Sequence, residues 1–403
     1  MAFDVAALRA EFPSLASGIA HFDGPGGTQT PRVVGEAIAR VLTGPLSNRG
    51  SEGPVSETNA EDAVAAFRQA GADLLGADPR GIVYGRSATQ LTYDFSRHLA
   101  KGWGPGDEVV VTRLDHDSNV RPWIQAVEAA GATVRWVELD PATAELDPAS
   151  LDAALTGRTR LVALTAASNL LGTKPAVRAV ADRVHALGGL LYVDGVHYTA
   201  HQFVDIGELG ADFFMCSPYK FLGPHCAMLA AAPELLETIT PDKLAPSTNV
   251  VPERFEFGTL PYEIMAGVTA AIDFLAGIAP GSATTRRDRL RASLHEIDEH
   301  ELRLRQALEA GLASFGDDII LWSRAADRTP TLSLTMPGRR TEDAYRFLTA
   351  RDVLAPASDF YAYEAFRALG TDDSGALRLG VAPYTDDRDV ERVLDGIGAF
   401  LAR

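Results

Sequence analysis

The sequence has 403 residues, of which 46% are hydrophobic and 23% charged, and its formal net charge is −17. A chain of this length and composition is globular and too long for a single small core, so we expect two closely packed domains. The acidic balance repels phosphate backbones and anionic lipids, which argues against nucleic acid or a membrane surface as a partner.

The chain contains two cysteines, Cys216 and Cys226. Two thiols cannot build a disulfide framework, and they fit a reducing compartment. The N-terminal run MAFDV lacks the basic and apolar segments of a signal peptide, and no apolar run reaches the length of a membrane span. We therefore expect a soluble, cytoplasmic protein.

Helical and strand patterns alternate between residues 60 and 235. Before this region, the sequence predicts a helix at 4–12 that ends before Pro13, a Gly- and Pro-rich stretch at 24–31, and a helix at 33–41. The alternating region predicts helices at 60–75, 123–130 and 177–187, and strands at 82–84, 108–112, 133–137, 161–164, 190–193, 213–216 and 228–231. Continuous apolar strands between helices are typical of an α/β fold with a mainly parallel, doubly wound sheet.

The pattern changes after residue 262. It predicts a long, charged, leucine-rich helix at 286–312, strands at 319–321 and 331–335, and helices at 341–351 and 387–401. This order indicates a smaller α+β domain. We therefore expect an N-terminal helical segment (1–20) that packs with the small domain, a large α/β domain (21–262) and a small C-terminal domain (263–403).

Polar residues follow five of the predicted strands. They are Ser87, Asp115-His116, Ser168-Asn169, Asp194 and the run from Ser217 to Lys220. In open α/β sheets, ligands bind in the crevice outside the carboxyl ends of the strands. A hydroxyl, an imidazole, an amide, a carboxylate and an amine are therefore expected at one crevice.

Each of these residues has two interpretations when it is considered alone. Lys220 lies in the apolar run FFMCSPYKFLGP, where it is either a desolvated nucleophile or a lysine that extends to the surface. Asp194 either pairs with a protonated pyridine nitrogen or caps a turn. His116 either stacks on a flat cofactor or is a loop histidine, and Ser87 either binds a phosphate or caps a helix.

The combination is more specific than its parts. An aspartate at one strand end and a Ser-x-x-Lys at the next, inside a doubly wound sheet, resemble the fold-type I, class V aminotransferase family of pyridoxal-phosphate (PLP) enzymes. The resemblance is strongest to the cysteine desulfurase-like branch and extends from about His21 to Leu401. It implies a PLP-dependent transferase fold of type I, PLP as the cofactor, and an amino acid as the small-molecule substrate.

The resemblance also implies a role for each matching residue. Lys220 would hold PLP as a Schiff base, Asp194 would pair with the ring nitrogen and His116 would stack on the ring; these three are the predicted catalytic residues. The other predicted cofactor contacts are Asn169, Ser87, Ala88, Thr89, His197, Ser217, Tyr219 and, from the neighbouring subunit of a homodimer with shared active sites, Thr259. The predicted substrate-binding residues are Arg378, which would bind the carboxylate, Asn48 and Arg49. Side-chain specificity would depend on loops at 22–27, 47–51 and 359–363.

The sequence departs from cysteine desulfurases where their nucleophile is expected. The loop at 353–363 contains no cysteine, and Cys216 and Cys226 flank the lysine instead, where we expect small buried hydrophobes. Tyr219 and His197 stand where desulfurases usually carry a histidine and a glutamine. Tyr219 is a phosphate ligand, an acid/base group near the cofactor, or a packed aromatic residue.

A metal site is a further hypothesis. His197 and His201 have the i, i+4 spacing of two ligands on one helix face, and His225 and Cys226 are nearby. No Cys-x-x-Cys or His-Glu-x-x-His motif accompanies them, so we expect no metal. We expect His201 to be a capping or surface residue.

Without a loop cysteine, the sequence favours C–S cleavage by β-elimination on cysteine or a cysteine conjugate. The alternative reactions are those of a class V aminotransferase or an amino-acid epimerase. A PLP-binding sensor or scaffold, and a structural oligomer without cofactor, are the non-enzyme alternatives. Lys220, Asp194 and Arg378 together favour catalysis.

Overall fold

A computed structural model describes residues 3–50, 53–371 and 375–403. Met1 and Ala2 of the predicted N-terminal segment, and Ser51 of the predicted specificity loop at 47–51, lie outside the described residues. The helices are α1 (Val5–Ala10), α2 (Arg32–Thr43), α3 (Val55–Leu75), α4 (Ala88–Ala100), α5 (Arg121–Ala130), α6 (Pro148–Ala154), α7 (Val177–Ala186), α8 (Ile206–Leu209), α9 (Pro233–Glu237), α10 (Tyr262–Ala276), α11 (Arg286–Ala313), α12 (Thr341–Thr349), α13 (Tyr363–Ala368) and α14 (Asp387–Leu401).

The strands form one large sheet and three smaller ones. They are β1 (Ala20–His21), β2 (Ile82–Gly85), β3 (Glu108–Thr112), β4 (Thr133–Val137), β5 (Leu139–Asp140), β6 (Glu145–Leu146), β7 (Thr159–Thr165), β8 (Leu190–Asp194), β9 (Phe213–Cys216), β10 (Ala227–Ala231), β11 (Ile320–Leu321), β12 (Thr331–Thr335), β13 (Val353–Leu354), β14 (Ala357–Ser358) and β15 (Ala376–Gly380). The large sheet has the order β2-β10-β9-β8-β7-β3-β4, and a four-stranded sheet has the order β11-β12-β15-β14.

The large sheet confirms the predicted mainly parallel α/β architecture. Its strands run parallel from β9 through β8, β7 and β3 to β4, whereas β10 is antiparallel to both of its neighbours. Strands β3, β9 and β10 are buried along their whole length because apolar clusters cover both faces of the sheet. Such burial explains why these strands read as continuous apolar runs in the sequence.

Parallel strands bring their carboxyl ends to one edge of the sheet. Strands β2, β3, β7, β8 and β9 therefore end on the same side, and each is followed there by one of the polar residues noted in the sequence. The predicted crevice lies at this edge.

Helix α11 belongs to two apolar cores. Its N-terminal half contributes Leu290, Leu294 and Ile297 to the core beneath the large sheet. Its C-terminal half contributes Leu304, Leu308 and Leu312 to the core of the four-stranded sheet. One continuous helix thus connects the two parts of the molecule.

The N-terminal segment contacts the C-terminal part of the chain. The Arg9 guanidinium donates to the Tyr384 carbonyl at 2.6 Å and pairs with Asp389 at 2.7 Å, and β1 pairs with β13. Helix α10, just after the predicted boundary at residue 262, packs on α2 and α3 in the large-sheet core. The three-part division at residues 20 and 262 stays a prediction.

Some elements differ from the sequence-based expectations. Helix α3 begins at Val55, whereas the sequence predicted a start at Ala60. The prediction missed the first turn because that turn is polar and the buried face of the helix begins only at Ala60. Helix α10 was not predicted because its apolar residues are distributed around the helix and pack against several neighbours. Strand β15 was not predicted because Arg378 interrupts its short apolar run.

Among the residues that the structure describes, no helix combines the length and the apolar character needed to cross a membrane.

Candidate active site

Two adjoining cavities open at the carboxyl edge of the large sheet. The larger cavity has a volume of about 680 Å³ and the smaller about 90 Å³. Both are lined by Thr89, His116, Ser118, Asn169, Tyr219 and Lys220. The smaller cavity is also lined by Ser87, Ala88, Thr165, Ala167, Asp194, Val196, His197 and Ser217, and Arg378 lines the larger one. Most of the predicted site residues therefore meet in one place.

Lys220 lies on the short turn that follows β9, and its side chain is buried. Burial lowers the pKa of its amine to about 8, a shift that Arg378 adds to and Asp194 opposes. Within the described part of the chain, no carboxylate lies within ion-pair distance of this amine. At pH 7 roughly a tenth of the amine is thus uncharged and nucleophilic, far more than for a lysine with the ordinary pKa.

Asp194 is the last residue of β8 and is buried. One of its carboxylate oxygens accepts a hydrogen bond from the Val196 backbone N–H at 2.9 Å. Burial raises the pKa of Asp194, and the backbone hydrogen bond and Lys220 act in the opposite direction. A buried carboxylate in this position can hold a proton on a ring nitrogen nearby.

His116 follows β3 and lines both cavities. Its Nδ1 accepts a hydrogen bond from the Ser118 backbone N–H at 3.0 Å and lies 2.7 Å from the Ser118 hydroxyl. Burial, together with the charges of Lys220 and Arg378, lowers the pKa of His116 to about 3. The imidazole is therefore neutral at physiological pH, as a ring that stacks on an aromatic cofactor would be.

Arg378 is a buried cation in the centre of β15. Its guanidinium donates to the Asn169 carbonyl at 3.0 Å, and its carbon lies 3.7 Å from the centre of the Phe360 ring. Burial lowers the pKa of Arg378 to about 9. The described residues provide no carboxylate within 4.0 Å of this guanidinium and no partner for its Nε, so it can bind an anion that enters the cavity.

Three buried polar atoms of the smaller cavity have no hydrogen-bond partner in the described structure. They are Asn169 Oδ1, His197 Nδ1 and Ser217 Oγ. Leaving one buried polar group unpaired costs about 1–3 kcal/mol. Three such atoms at one cavity indicate that a polar ligand completes their hydrogen bonds.

Comparisons with known proteins agree with this geometry. The family model described as aminotransferase class-V matches residues 20–393. The chain belongs to this family. It is 30% identical to the uncharacterized protein MT3887 of Mycobacterium tuberculosis, over 99% of this chain and 100% of that one.

Two further similarities concern cysteine desulfurases. The chain is 27% identical to a probable cysteine desulfurase of Pseudomonas putida, over 98% of each protein. It is similar to the crystal structure of the cysteine desulfurase CsdA of Escherichia coli, with a TM-score of 0.87 and 24% identity, over 100% of this chain and 99% of that one. These findings confirm the predicted PLP-dependent fold type I.

Class V aminotransferases are PLP-dependent enzymes, and the residues present here fit that cofactor. The three unpaired atoms described above can bond to the polar groups around a pyridine ring, Asp194 can face its nitrogen, and Lys220 can reach its aldehyde. The roles of the individual residues stay predictions.

His197 also shares its Nε2 with the hydroxyls of Thr329 at 2.9 Å and Thr331 at 3.0 Å, which fix the orientation of its ring.

Ser87, Ala88 and Thr89 are the residues predicted to form the turn that binds the cofactor phosphate. All three line the smaller cavity, at the N-terminus of α4. Ser87 also caps that helix, because its hydroxyl accepts from the Gln90 backbone N–H at 3.1 Å. Capping and phosphate binding are compatible, since both use the positive end of the helix.

Tyr219 lines both cavities, and burial raises the pKa of its hydroxyl.

Three predicted residues do not line either cavity of this chain. Asn48 is exposed, and Arg49 pairs with Glu61 at 2.8 Å and with Glu253 at 3.3 Å. These two carboxylates compensate the arginine charge, so the structure does not bring it to the site as predicted. Thr259 is exposed in a separate groove that is also lined by Ser87 and Thr89.

Both cysteines lie in the apolar core, away from the two cavities. Burial raises the pKa of Cys226 to about 12 and raises that of Cys216 further. Neither thiol is therefore a reactive nucleophile at neutral pH. The expectation of small buried hydrophobes is confirmed.

The histidine pair has a structural arrangement of its own. His201 is the C-cap of the 3-10 turn Tyr198–Ala200, as one of the two expectations had it, but it is buried and not on the surface. Its Nδ1 lies 2.8 Å from a carboxylate oxygen of Glu301 on α11. The His197 and His201 rings are 4.8 Å apart. No group of three or more His, Cys, Asp or Glu side chains suited to a metal ion occurs within residues 3–50, 53–371 and 375–403.

Several lining residues were not predicted from the sequence. Tyr93, Asp117, Ser118, Arg121 and Pro122 line the larger cavity. Tyr93 follows Thr89 by four residues on α4, so the helical period could have placed both on one face. The loops at 22–27 and 359–363 do contribute, through Pro25, Gly26, Phe360 and Tyr361.

Proposed function

We propose that this protein is a PLP-dependent C–S lyase that eliminates the sulfur substituent of cysteine or of a cysteine conjugate. One observation carries the proposal: the loop ahead of Arg378 presents Phe360 and Tyr361 to the larger cavity, and no described cysteine lines it. A desulfurase route needs a thiol that accepts the sulfur atom. Without that thiol, sulfur leaves together with its own substituent.

Arg378 orients the substrate in this proposal. Its planar guanidinium binds the substrate carboxylate through two parallel hydrogen bonds, which fixes the direction of the bonds at Cα. When bound, PLP supplies the electron sink for chemistry at that carbon. The 3.0 Å hydrogen bond to the Asn169 carbonyl and the Phe360 ring hold the guanidinium in place.

The Lys220 amine is the general base. Its lowered pKa, about 8, allows it to accept the Cα proton of the substrate near neutral pH. Asp194 would keep a proton on the ring nitrogen of the bound cofactor, and the neutral His116 ring would stack on that cofactor. In the elimination the Cβ–S bond breaks, the electron pair leaves with sulfur, and sulfur takes up a proton and departs as a thiol. Water then releases the remainder as pyruvate and ammonium.

Product analysis tests the proposal. The holoenzyme is incubated with L-cysteine and with S-methyl-L-cysteine, and the products are measured by mass spectrometry. We expect pyruvate, ammonium and the thiol or sulfide in equal amounts, and no turnover by Lys220→Ala. Alanine with protein-bound persulfide sulfur would indicate a desulfurase instead. A keto acid that retains sulfur would indicate an aminotransferase, and the enantiomer an epimerase.

We further propose a cytoplasmic homodimer with shared active sites. The exposed Thr259 hydroxyl lies in a groove beside Ser87 and Thr89, which supports its contact with the phosphate of a neighbouring subunit. The two buried free thiols support a reducing location. Sedimentation equilibrium of the holoenzyme tests the assembly, and a fully active monomer would contradict it.

A further inference from the structure

The loop that closes the larger cavity has an unusual backbone. Phe360 and Tyr361 are consecutive residues with φ of +55° and +56°. Residues with large side chains rarely adopt this left-handed conformation, and each instance costs about 1–3 kcal/mol. Such strain persists only where the surroundings fix the backbone, and it is concentrated at functional sites.

Residues of the active site fix this backbone. The Asn169 side-chain amide donates to the Phe360 carbonyl at 2.9 Å, and the Asp117 backbone N–H donates to the Tyr361 carbonyl at 2.7 Å. The Tyr361 N–H in turn donates to the Asp359 carboxylate at 3.0 Å. The loop is thus attached to the same elements that carry the candidate cofactor contacts.

This conformation places the two rings on two functional side chains. The Phe360 ring covers the Arg378 guanidinium at 3.7 Å. The Tyr361 ring stacks on His116, with the ring centres 5.6 Å apart and the planes inclined by 28°. Tyr361 remains 73% exposed, so its other face is available at the mouth of the cavity.

The rest of the larger cavity is also suited to an apolar group. Aromatic and proline side chains contribute to its wall, namely Tyr93, Tyr219, Pro25 and Pro122. The charged pair that lines it is internally compensated, because Arg121 lies 2.8 Å from Asp117 and also pairs with Glu364. The cofactor would occupy part of this cavity, whose volume of about 680 Å³ lies within the range of pockets that bind drug-sized ligands.

We propose that Phe360 and Tyr361 form an aromatic lid that selects cysteine conjugates with a bulky apolar or aromatic group on sulfur over cysteine itself. The inference rests on the proposed lyase function and names its substrate class. An aromatic substituent would bury apolar surface against these rings and stack on them, and such aromatic pairs contribute about 0.5–1.5 kcal/mol beyond their area. The C–S cleavage is the one described above, with an aromatic or alkyl thiol as the leaving group.

Binding to the holoenzyme tests the lid directly. L-Cysteine, S-methyl-L-cysteine and S-benzyl-L-cysteine are titrated, and the dissociation constant is read from the change in cofactor absorbance. We expect S-benzyl-L-cysteine to bind at least about tenfold more tightly than S-methyl-L-cysteine. We expect the same ratio in kcat/KM for pyruvate formation.

Loop variants assign the preference to the lid. Tyr361→Ala should reduce the benzyl-to-methyl ratio to near one, and Tyr361→Phe, which keeps the ring, should retain it. Leu302→Ala is the control, because Leu302 is an exposed apolar residue of α11 that does not line the larger cavity. Equal binding of the two conjugates by the unmodified enzyme, or an unchanged ratio in Tyr361→Ala, would overturn the inference.

The two proposals fail in different ways. If S-benzyl-L-cysteine binds preferentially but no substrate yields pyruvate, the lid is supported and the lyase proposal is wrong. If L-cysteine yields pyruvate and S-benzyl-L-cysteine causes no absorbance change, the lid is wrong and the lyase proposal stands.

Discussion

At the scale of single residues, the site is defined by two buried cations that lack a carboxylate partner. The other lysines of the sequence, Lys101, Lys174 and Lys243, each bind a carboxylate or a carbonyl oxygen, whereas the Lys220 amine binds none in the described structure. Arg378 likewise has no carboxylate within ion-pair distance there. Burying unpaired charge is costly, so we infer that a cofactor and a substrate supply the missing partners of these two side chains.

The substitution Arg378→Lys tests the proposed carboxylate contact. A lysine keeps the charge but loses the planar pair of donors, and hydrogen bonds to charged groups contribute about 1.5–3 kcal/mol. We expect kcat/KM for any amino-acid substrate to fall by roughly 10–100-fold, mainly through a higher KM. Arg346→Lys, at an exposed arginine of α12, is the control. Unchanged kinetics in Arg378→Lys would rule out the contact.

The pKa of Lys220 predicts how cofactor uptake depends on pH. Only the uncharged amine attacks an aldehyde, and burial lowers the pKa of this amine to about 8. The rate at which cofactor-free protein takes up PLP should therefore rise between pH 7 and pH 9 and then level off. Stopped-flow absorbance measures this profile. A rate that continues to rise toward pH 10.5 would show an unshifted lysine.

The sequence predicted the site residues that directly follow strands. Parallel strands end at one edge of the sheet, so the polar residue after each strand lies in the same crevice. Lys220, Asp194, His116 and Asn169 all lie at the cavities as expected. Arg49 does not, because it pairs with Glu61 at 2.8 Å and also with Glu253 at 3.3 Å. Glu253 is 204 residues away in the chain, and a contact over that separation leaves no local pattern in the sequence.

At the scale of elements, α11 contacts the active-site region through one buried pair. Glu301 on this helix is fully buried, and its carboxylate lies 2.8 Å from His201, on the segment that follows β8. Burial raises the pKa of Glu301, and His201 opposes that shift. Because the His201 ring lies against the His197 ring, the pair also supports the wall of the smaller cavity.

Removing one partner of this pair should destabilise the fold. Glu301→Ala leaves His201 buried without its partner, which typically costs roughly 2–4 kcal/mol. Glu299→Ala, at an exposed position of the same helix, should change stability by less than about 0.5 kcal/mol. Urea unfolding of the two variants measures the difference. Equal stabilities would show that the pair contributes nothing.

Most elements of the large sheet could be predicted because buried parallel strands are continuous apolar runs. Helix α10 and strand β15 could not. Their residues satisfy several neighbours at once, so no single period appears in the sequence. The sequence also did not predict that β10 is antiparallel to its neighbours, since strand direction depends on the connections between strands rather than on the side-chain pattern.

At the scale of the whole molecule, α11 connects the two main cores. Leu294 lies in the core beneath the large sheet, and Leu308 lies in that of the four-stranded sheet. A rigid helix shared by both should make them unfold together. The boundary predicted at residue 262 would then separate two apolar cores that nevertheless unfold in one step.

Calorimetry of the cofactor-free protein tests this coupling. We expect one cooperative transition, and Leu308→Ala should move the whole transition to lower temperature, because a buried Leu→Ala change costs about 2–5 kcal/mol. Leu302→Ala, at a partly exposed leucine of the same helix, should shift it far less. Two separate transitions, with only one moved by Leu308→Ala, would contradict the account.

Every role proposed above depends on PLP being bound covalently through Lys220, and peptide mapping detects that bond. The holoenzyme is reduced with borohydride, digested, and analysed by mass spectrometry for the peptide that carries the pyridoxyl mass. We expect the label on Lys220 and its loss in Lys220→Ala. A label on Lys101, Lys174 or Lys243, or on no lysine, would show that Lys220 does not bind the cofactor.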